Sequence, residues 1–368
     1  MSTALIVTAD LGGNLPPMMR IGRELASRGW RVVVTAEDRL RTRIEREGFE
    51  HLPSAGMAYD AALDRSTLAS LRDVPRLWAD RVRGRDAIAA ASRIGADVVV
   101  VDVLLVGALA ELESASVATV VVAHSTWEGV RLWLGGPLGV LMRLHGVRPM
   151  HTVGRADRVL VASDERLGAR SAMPNNVRVI GPVLQEVPVP TGPSSERPLV
   201  LASLSTVAFP GQRDVLQRLL DAVGGMTIDV EAGTGSAVDP AGLRVAANTT
   251  LSRLVDHGSR MPAATAVVSH GGHATTVRAL AHGLPILFVP MHPMMDQPRI
   301  ARAVAEQGAG LVVPRSASPE RIRCALRRLL DEPSFRIAAG RLGADFVSAD
   351  GARRAASEIE AVVGHVPA

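Results

Sequence analysis

The residues best equipped for chemistry lie in 265–298, TAVVSHGGHATTVRALAHGLPILFVPMHPMMDQP. An apolar run ends at Ser269 and His270, and Gly271 and Gly272 supply a tight turn. A helix is expected from near Thr275 to Gly283, where glycine suits a left-handed cap. A helix start offers unpaired backbone N–H groups and partial positive charge. Glycines let a diphosphate approach the backbone, and His270 and the Thr275 hydroxyl can add hydrogen bonds. The plainer alternative is a tight turn with His270 closing the strand. Further on, a strand ends at Pro290, and Asp296 and Gln297 precede Pro298, a residue tolerated at the first helical position. A carboxylate and an amide at this second strand-to-helix junction suit sugar hydroxyls, although an ordinary helix N-cap would use the same residue types.

A second glycine turn, DLGGNLPPMM (Asp10–Met19), lies between the apolar run ALIVTA and the helix-like RIGRELASRG. It lacks the G-x-G-x-x-G spacing, and Pro16 and Pro17 replace the close helix contact that glycine gives. A dinucleotide-binding dehydrogenase is therefore disfavoured.

These turns need a scaffold of strands feeding helices, and the sequence supplies one. ALIVTA (4–9), RVVVTA (31–36), DVVVVD (97–102), ATVVVAH (118–124) and RVLVAS (158–163) are separated by amphipathic stretches. Continuous Val-rich runs of this kind argue for parallel strands covered on both faces. Residues 57–95 are expected to be helical, as an insertion lining a cleft. The stretch 182–198, with Pro182, Pro188, Pro190, Pro193 and Pro198, reads as a linker. Strands are then expected at 199–205, 227–233, 243–248, 265–270 and 285–290, with helices at 210–223 and through 319–364. The expected fold is α/β: two Rossmann-like, doubly wound domains, 1–181 and 199–368, facing each other across a cleft. The last helix, about 347–364, is expected to pack back on the first domain.

Composition narrows the function. Of 368 residues 47% are apolar, the formal charge is +4, and all 41 basic residues are arginine. Arginines and acids are interspersed and aromatics are scarce, which disfavours a nucleic-acid partner. The single cysteine, Cys324, excludes an internal disulfide and a cysteine zinc site. No apolar run reads as a membrane span or a signal core, so a cytoplasmic protein without an integral membrane segment is expected.

The stretches 200–223, 255–290 and 296–313, with VIGPVL at 179–184, are similar to the nucleotide-sugar-dependent glycosyltransferases of family one. The bacterial branch that decorates antibiotics and other natural products is the most similar. The resemblance is specific over most of 179–345 and looser, but in register, over 1–180. It implies the two-domain GT-B fold, with an acceptor-binding first domain and a donor-binding second. His270 would hydrogen-bond the donor diphosphate, with Gly272, His273, Ala274 and Thr275 as the phosphate cradle. Asp296 and Gln297 would hold the sugar, Val255 to His257 would face a pyrimidine base, and Ser205 and Thr206 would sit near the phosphates. Ala274 departs from the glycine usual in the family.

The resemblance also exposes a gap. The family turn has the form Gly-His-x-x-Pro, with histidine as the general base. Alignment on Pro17 puts Gly13 on the glycine and Asn14 on the base. An asparagine side chain takes no proton at useful pH. Asp102 ends the strand whose acid orients the histidine in many relatives, and His124, at another strand end, is a spare base candidate. Three readings stay open: Asp102 acts as base directly or through water, the acceptor needs no strong base, or the protein binds donor without transfer. Trp127, Trp133 and Met142 are candidate acceptor-lining residues, or plain core.

No Asp-x-Asp motif occurs, so no metal and no cofactor are expected. The expected activity is inverting transfer of a sugar or deoxysugar from a TDP- or UDP-donor to a small apolar acceptor. A nucleotide-sugar epimerase or hydrolase, or a donor-binding auxiliary protein, are the alternatives, and a homodimeric state is left open.

Overall fold

The computed structural model describes every residue except 12, 59–66, 170–171, 187, 189–196, 206, 236–237, 294 and 365–368. In β1 (Thr3–Val7) all five residues are buried. Ala4 and Ile6 join one apolar core, and Leu5 and Val7 join another. In β4 (Val98–Asp102) Val98 and Val100 join the first core, and Val99 and Val101 the second. Successive strand side chains point to opposite faces. A strand buried on both faces must therefore be apolar at every position, which is why these segments are runs of valine.

With β2 (Arg31–Ala36), β3 (Glu50–Pro53), β5 (Ala118–Ala123), β6 (Arg158–Val161) and β7 (Val177–Val179), these strands form a seven-stranded parallel sheet. Its order is β3-β2-β1-β4-β5-β6-β7. The order reverses between β1 and β4, so a crevice opens there beyond the strand carboxyl ends. Helices Thr67–Trp78 and Val82–Ile94 occupy the stretch before β4.

A second unit, 186–348, holds a six-stranded parallel sheet. It comprises β8 (Leu199–Ser203), β9 (Asp229–Gly233), β10 (Thr249–Ser252), β11 (Ala266–Ser269), β12 (Ile286–Phe288) and β13 (Gly310–Val312). The order β10-β9-β8-β11-β12-β13 reverses between β8 and β11. The expected strand at 243–248 is a correction. The ladder with β9 starts only at Thr249, because Asn248 Nδ2 donates to the carbonyls of Val223, Met226 and Ile228 and ties the preceding stretch into a turn.

The chain returns to the first unit at its end. Ala352, Ala355, Ala356, Ile359 and Val362 of the helix Gly351–Gly364 join the core that holds Ile21 and Leu25. Arg28 fixes this helix through Glu360 Oε2 at 2.7 Å and the Arg353 carbonyl at 2.9 Å. A Cβ at Gly351 would lie 2.5 Å from the Pro182 carbonyl oxygen, so only glycine allows this approach.

Candidate functional site

In the first unit the reversal point is occupied by Asn14, Asp102 and His124. Asn14 precedes the helix Leu15–Ser27 but makes no capping bond to it. Its side chain turns inward instead. Nδ2 donates to Asp102 Oδ2 at 2.5 Å and to the Ala9 carbonyl at 2.7 Å, and Oδ1 accepts from Leu11 N–H at 2.9 Å. An amide offers two donors and an acceptor on one planar group, and all three kinds of capacity are used. Gly13, at φ +98°, makes the turn that delivers Asn14; it is exposed, and Pro17 is half-buried.

Asp102 is fully buried, and its Oδ1 accepts from Leu104 N–H at 2.9 Å. His124 Nε2 stands 3.1 Å from Asp102 Oδ2, with 12% of its side chain exposed. Neither imidazole nitrogen has an aligned hydrogen-bond partner. The contact follows from register: Asp102 pairs with Val122, so His124 emerges two residues further along β5. Asp102 has no exposed surface, and both ring nitrogens of His124 are buried beside it.

Thr126 caps the helix Trp127–Gly135 by accepting from Gly129 N–H at 3.2 Å. Trp127 lines a cavity of about 450 Å³ together with Val161, Ser163, Met173 and Val179. Met142 is fully buried in the second apolar core. Its acceptor-lining assignment is therefore corrected: it packs the interior. Trp133 is half-buried and is not among the residues lining that cavity.

In the second unit the reversal point lies between the ends of β8 and β11. The helix after the glycine turn starts at His273, one turn-half earlier than the sequence suggests, with Gly272 at its N-cap. Gly271 has φ +89°, and a Cβ there would lie 2.9 Å from the Gln297 carbonyl oxygen. The two glycines thus pack the first strand-to-helix junction against the second. A Cβ at Gly272 would lie 2.6 Å from His270 Nε2, so glycine lets the imidazole lie against the turn. Ser269 Oγ accepts from Gly271 N–H at 3.2 Å. Desolvation pushes the His270 pKa down to about 4, which makes it a neutral imidazole at pH 7, and its buried Nδ1 has no partner. Thr275 is half-buried, and Ala274 lies exposed within the helix.

Asp296 and Gln297 are buried at the second junction. Asp296 makes no capping bond to the helix Gln297–Glu306. Gln297 Oε1 accepts from Met291 N–H at 2.9 Å and His292 N–H at 3.1 Å, pinning the loop after β12, while Nε2 donates to Met295 Sδ at 3.8 Å. Ser205 Oγ accepts from Val207 N–H at 2.9 Å; Thr206 lies outside the described residues. Asp256 accepts from Gly258 N–H at 3.0 Å, and Val255 is half-buried. Burial chiefly, with Arg278 adding to it and Asp256 opposing, pushes the His257 pKa down to about 4.

Sequence reasoning missed three neighbours. The Phe209 ring lies 6.1 Å from that of His270 and 6.2 Å from that of His292. Burial and Arg315 lower the His292 pKa, and Arg278, on the helix His273–Ala281, lowers the pKa of His257 and of His282. His292 stood within the stretch MHPMMDQP, where a third polar residue at a strand end was the available signal. Among the described residues no group of three or more His, Cys, Asp or Glu is placed to hold a metal ion. No described helix is long and apolar enough to cross a membrane.

Two parallel, doubly wound sheets, with a glycine turn at the reversal point of the second, make up the GT-B fold. Residues 217–362 match the family described as erythromycin biosynthesis protein CIII-like, C-terminal domain. The 4'-demethylrebeccamycin synthase of Lentzea aerocolonigenes is 28% identical, over 98% of this chain and 99% of that protein. The crystal structure of the kitacinnamycin glycosyltransferase matches with a TM-score of 0.81 at 21% identity, covering 98% of this chain and 99% of that one. The glycosyltransferase VinC in complex with dTDP matches with a TM-score of 0.74 at 21% identity, covering 99% and 100%. The chain has the GT-B fold and is similar to glycosyltransferases of antibiotic and other natural-product pathways.

Proposed function

We propose that the chain moves a sugar, or a deoxysugar, from a TDP- or UDP-linked donor to a small apolar acceptor in the cytoplasm. The transfer uses no metal and no cofactor and inverts the anomeric carbon. The second unit binds the donor and the first binds the acceptor. One observation carries this reading: His270, Gly271 and Gly272 sit at the start of the helix His273–Ala281, packed against the Asp296–Gln297 junction.

Leaving of a nucleoside diphosphate builds negative charge on its terminal phosphate. Backbone N–H groups at a helix start stabilise such charge without reorganisation. Neutral His270 contributes a hydrogen bond, and Thr275 a hydroxyl. Asp296 accepts from sugar hydroxyls while Gln297 Nε2 donates. Val255 and His257 present backbone to the base, and Ser205 stands near the phosphates. Trp127 gives the acceptor an apolar wall. The VinC complex, which holds dTDP in a chain of the same fold, supports a thymidine donor, and the synthase relative supports a natural-product acceptor.

The test is product formation. TDP- and UDP-linked hexoses and 6-deoxyhexoses are incubated with a panel of phenolic and macrolactone acceptors in EDTA, and products are read by mass spectrometry. A glycoside and free nucleoside diphosphate are expected. Donor turnover without any acceptor would point instead to an epimerase or hydrolase.

A further inference from the structure

We propose that Arg315 is a positioning residue of the nucleoside diphosphate site: it braces the loop after β8 to the loop after β12, so that Phe209 and His292 stay set against His270. This rests on the transferase reading above. Arg315 follows β13 and reaches both loops with one side chain. Its Nη2 donates to the Pro210 carbonyl at 2.7 Å and its Nη1 to the Met291 carbonyl at 3.2 Å. A guanidinium holds its donors in a planar fork, so two carbonyls on one guanidinium are fixed relative to each other.

The brace is itself held in place. Arg218, on the helix Gln212–Val223, donates from Nη2 to the Arg315 carbonyl at 2.6 Å and from Nε to the Ala317 carbonyl at 3.1 Å. Gly211 has φ +74°, and a Cβ there would lie 2.7 Å from Arg315 Nη2, so the approach to Pro210 needs glycine. Met291 is gripped from both sides: Gln297 Oε1 accepts from its N–H and Arg315 donates to its carbonyl. In the other loop Gln212 Oε1 accepts from Phe209 N–H at 3.1 Å, and Gln212 Nε2 donates to the Ser205 carbonyl at 3.2 Å.

What the brace carries lies at the glycine turn. Phe209 comes just before Pro210, and His292 just after Met291, the two residues whose carbonyls Arg315 takes. The Phe209 ring meets both imidazoles, at 6.1 Å from His270 and 6.2 Å from His292. The buried Nδ1 of His270 has no partner, so packing against Phe209 and the glycine turn sets that ring. A site whose groups are held before the ligand arrives loses less on ordering them.

Both bonds of Arg315 go to neutral carbonyls, and among the described residues no carboxylate pairs with it. Its charge is therefore not cancelled beside a site that takes an anion, and it reaches His292, whose pKa burial and Arg315 lower. Arg323 is bonded in the same manner but elsewhere. Its Nε donates to the Ala222 carbonyl at 2.7 Å and its Nη2 to the Asp221 carbonyl at 3.0 Å. Those carbonyls close the helix Gln212–Val223 ahead of β9, at the amino ends of the parallel strands, whereas the glycine turn lies beyond their carboxyl ends.

TDP and UDP binding is measured by calorimetry for wild type, Arg315→Gln, Phe209→Leu and Arg323→Gln, and the His292 ring is followed by NMR through a pH titration. Arg315→Gln is expected to weaken nucleotide binding about 10- to 10²-fold, the scale of a misplaced supporting group. It should raise donor KM, leave acceptor KM unchanged and raise the His292 pKa, which loss of stability alone would not do. Phe209→Leu is expected to weaken binding likewise. Arg323→Gln is expected to lower the melting temperature and keep binding within about twofold of wild type. Binding by Arg315→Gln within about twofold of wild type would overturn the proposal, and so would an unmoved His292 titration. Equal weakening in Arg323→Gln would overturn it too, as a general loss of stability. If Arg315→Gln fails to fold, Phe209→Leu decides, and binding within about twofold of wild type overturns it. A wild type that binds neither nucleotide overturns the transferase reading, and this assignment with it.

Discussion

Asn14 Nδ2 donates to Asp102 Oδ2 at 2.5 Å across 88 positions of sequence. The amide is therefore a structural link between the turn after β1 and the end of β4, and its loss strands a buried carboxylate. Asn14→Ala is expected to cost about 1–3 kcal/mol in urea unfolding. Asn14→Asp places two carboxyl groups together, and like charges at that distance resist ionising together. Asn14→Asp should be less stable than Asn14→Ala at pH 8, with the gap closing towards pH 5. Equal stability at both pH values would contradict the link.

Gly272 and Ala274 should respond in opposite ways. A Cβ at Gly272 meets His270 Nε2 at 2.6 Å, so Gly272→Ala must displace the imidazole, at about 1–3 kcal/mol by analogy with overpacking, and should weaken TDP binding. Ala274→Gly restores the family residue inside a helix and should cost at most about 1 kcal/mol. Calorimetry of TDP on both variants separates them.

Acid stability follows from His270 and His257, both held near pKa 4 by burial. Unfolded histidine titrates near 6.5. Between about pH 6.5 and 4 the unfolded chain binds more protons, so stability falls as pH falls. Each histidine contributes up to about 1.4 kcal/mol per pH unit in that window. A urea series from pH 7 to 4.5 should show this slope, and His270→Gln should reduce it. An unchanged slope would contradict the buried, neutral state of His270.

Gln297 holds its loop through two backbone N–H groups. Gln297→Leu keeps the volume but strands both donors, at about 1–3 kcal/mol each. Gln297→Glu retains the acceptor and should recover most of the melting temperature while losing the Nε2 donor.

Much of the scaffold was legible because β1 and β4 are buried on both faces and so had to be written in valine and its apolar neighbours. The glycine turn was legible because Gly271, at φ +89°, and Gly272, where a Cβ would lie 2.6 Å from His270 Nε2, leave no room for a side chain. β10 was misplaced because LRVAAN is apolar enough for a strand, while Asn248, three carbonyls in its grasp, spends that stretch on a turn. The role of Asn14 was not legible: residue type marks the missing base, but the three bonds of its side chain come from segments that only the folded sheet assembles. Phe209 was overlooked for the same reason, since its contacts to His270 and His292 join three separate strand ends.

Nucleoside diphosphate binding at the glycine turn tests the central claim most directly. Melting temperatures are measured with and without TDP and UDP, in EDTA, for wild type and His270→Ala. The account predicts that one of the two nucleotides raises the melting temperature of wild type and that His270→Ala abolishes the rise. A wild type unmoved by either nucleotide, or a shift that survives in His270→Ala, would contradict it.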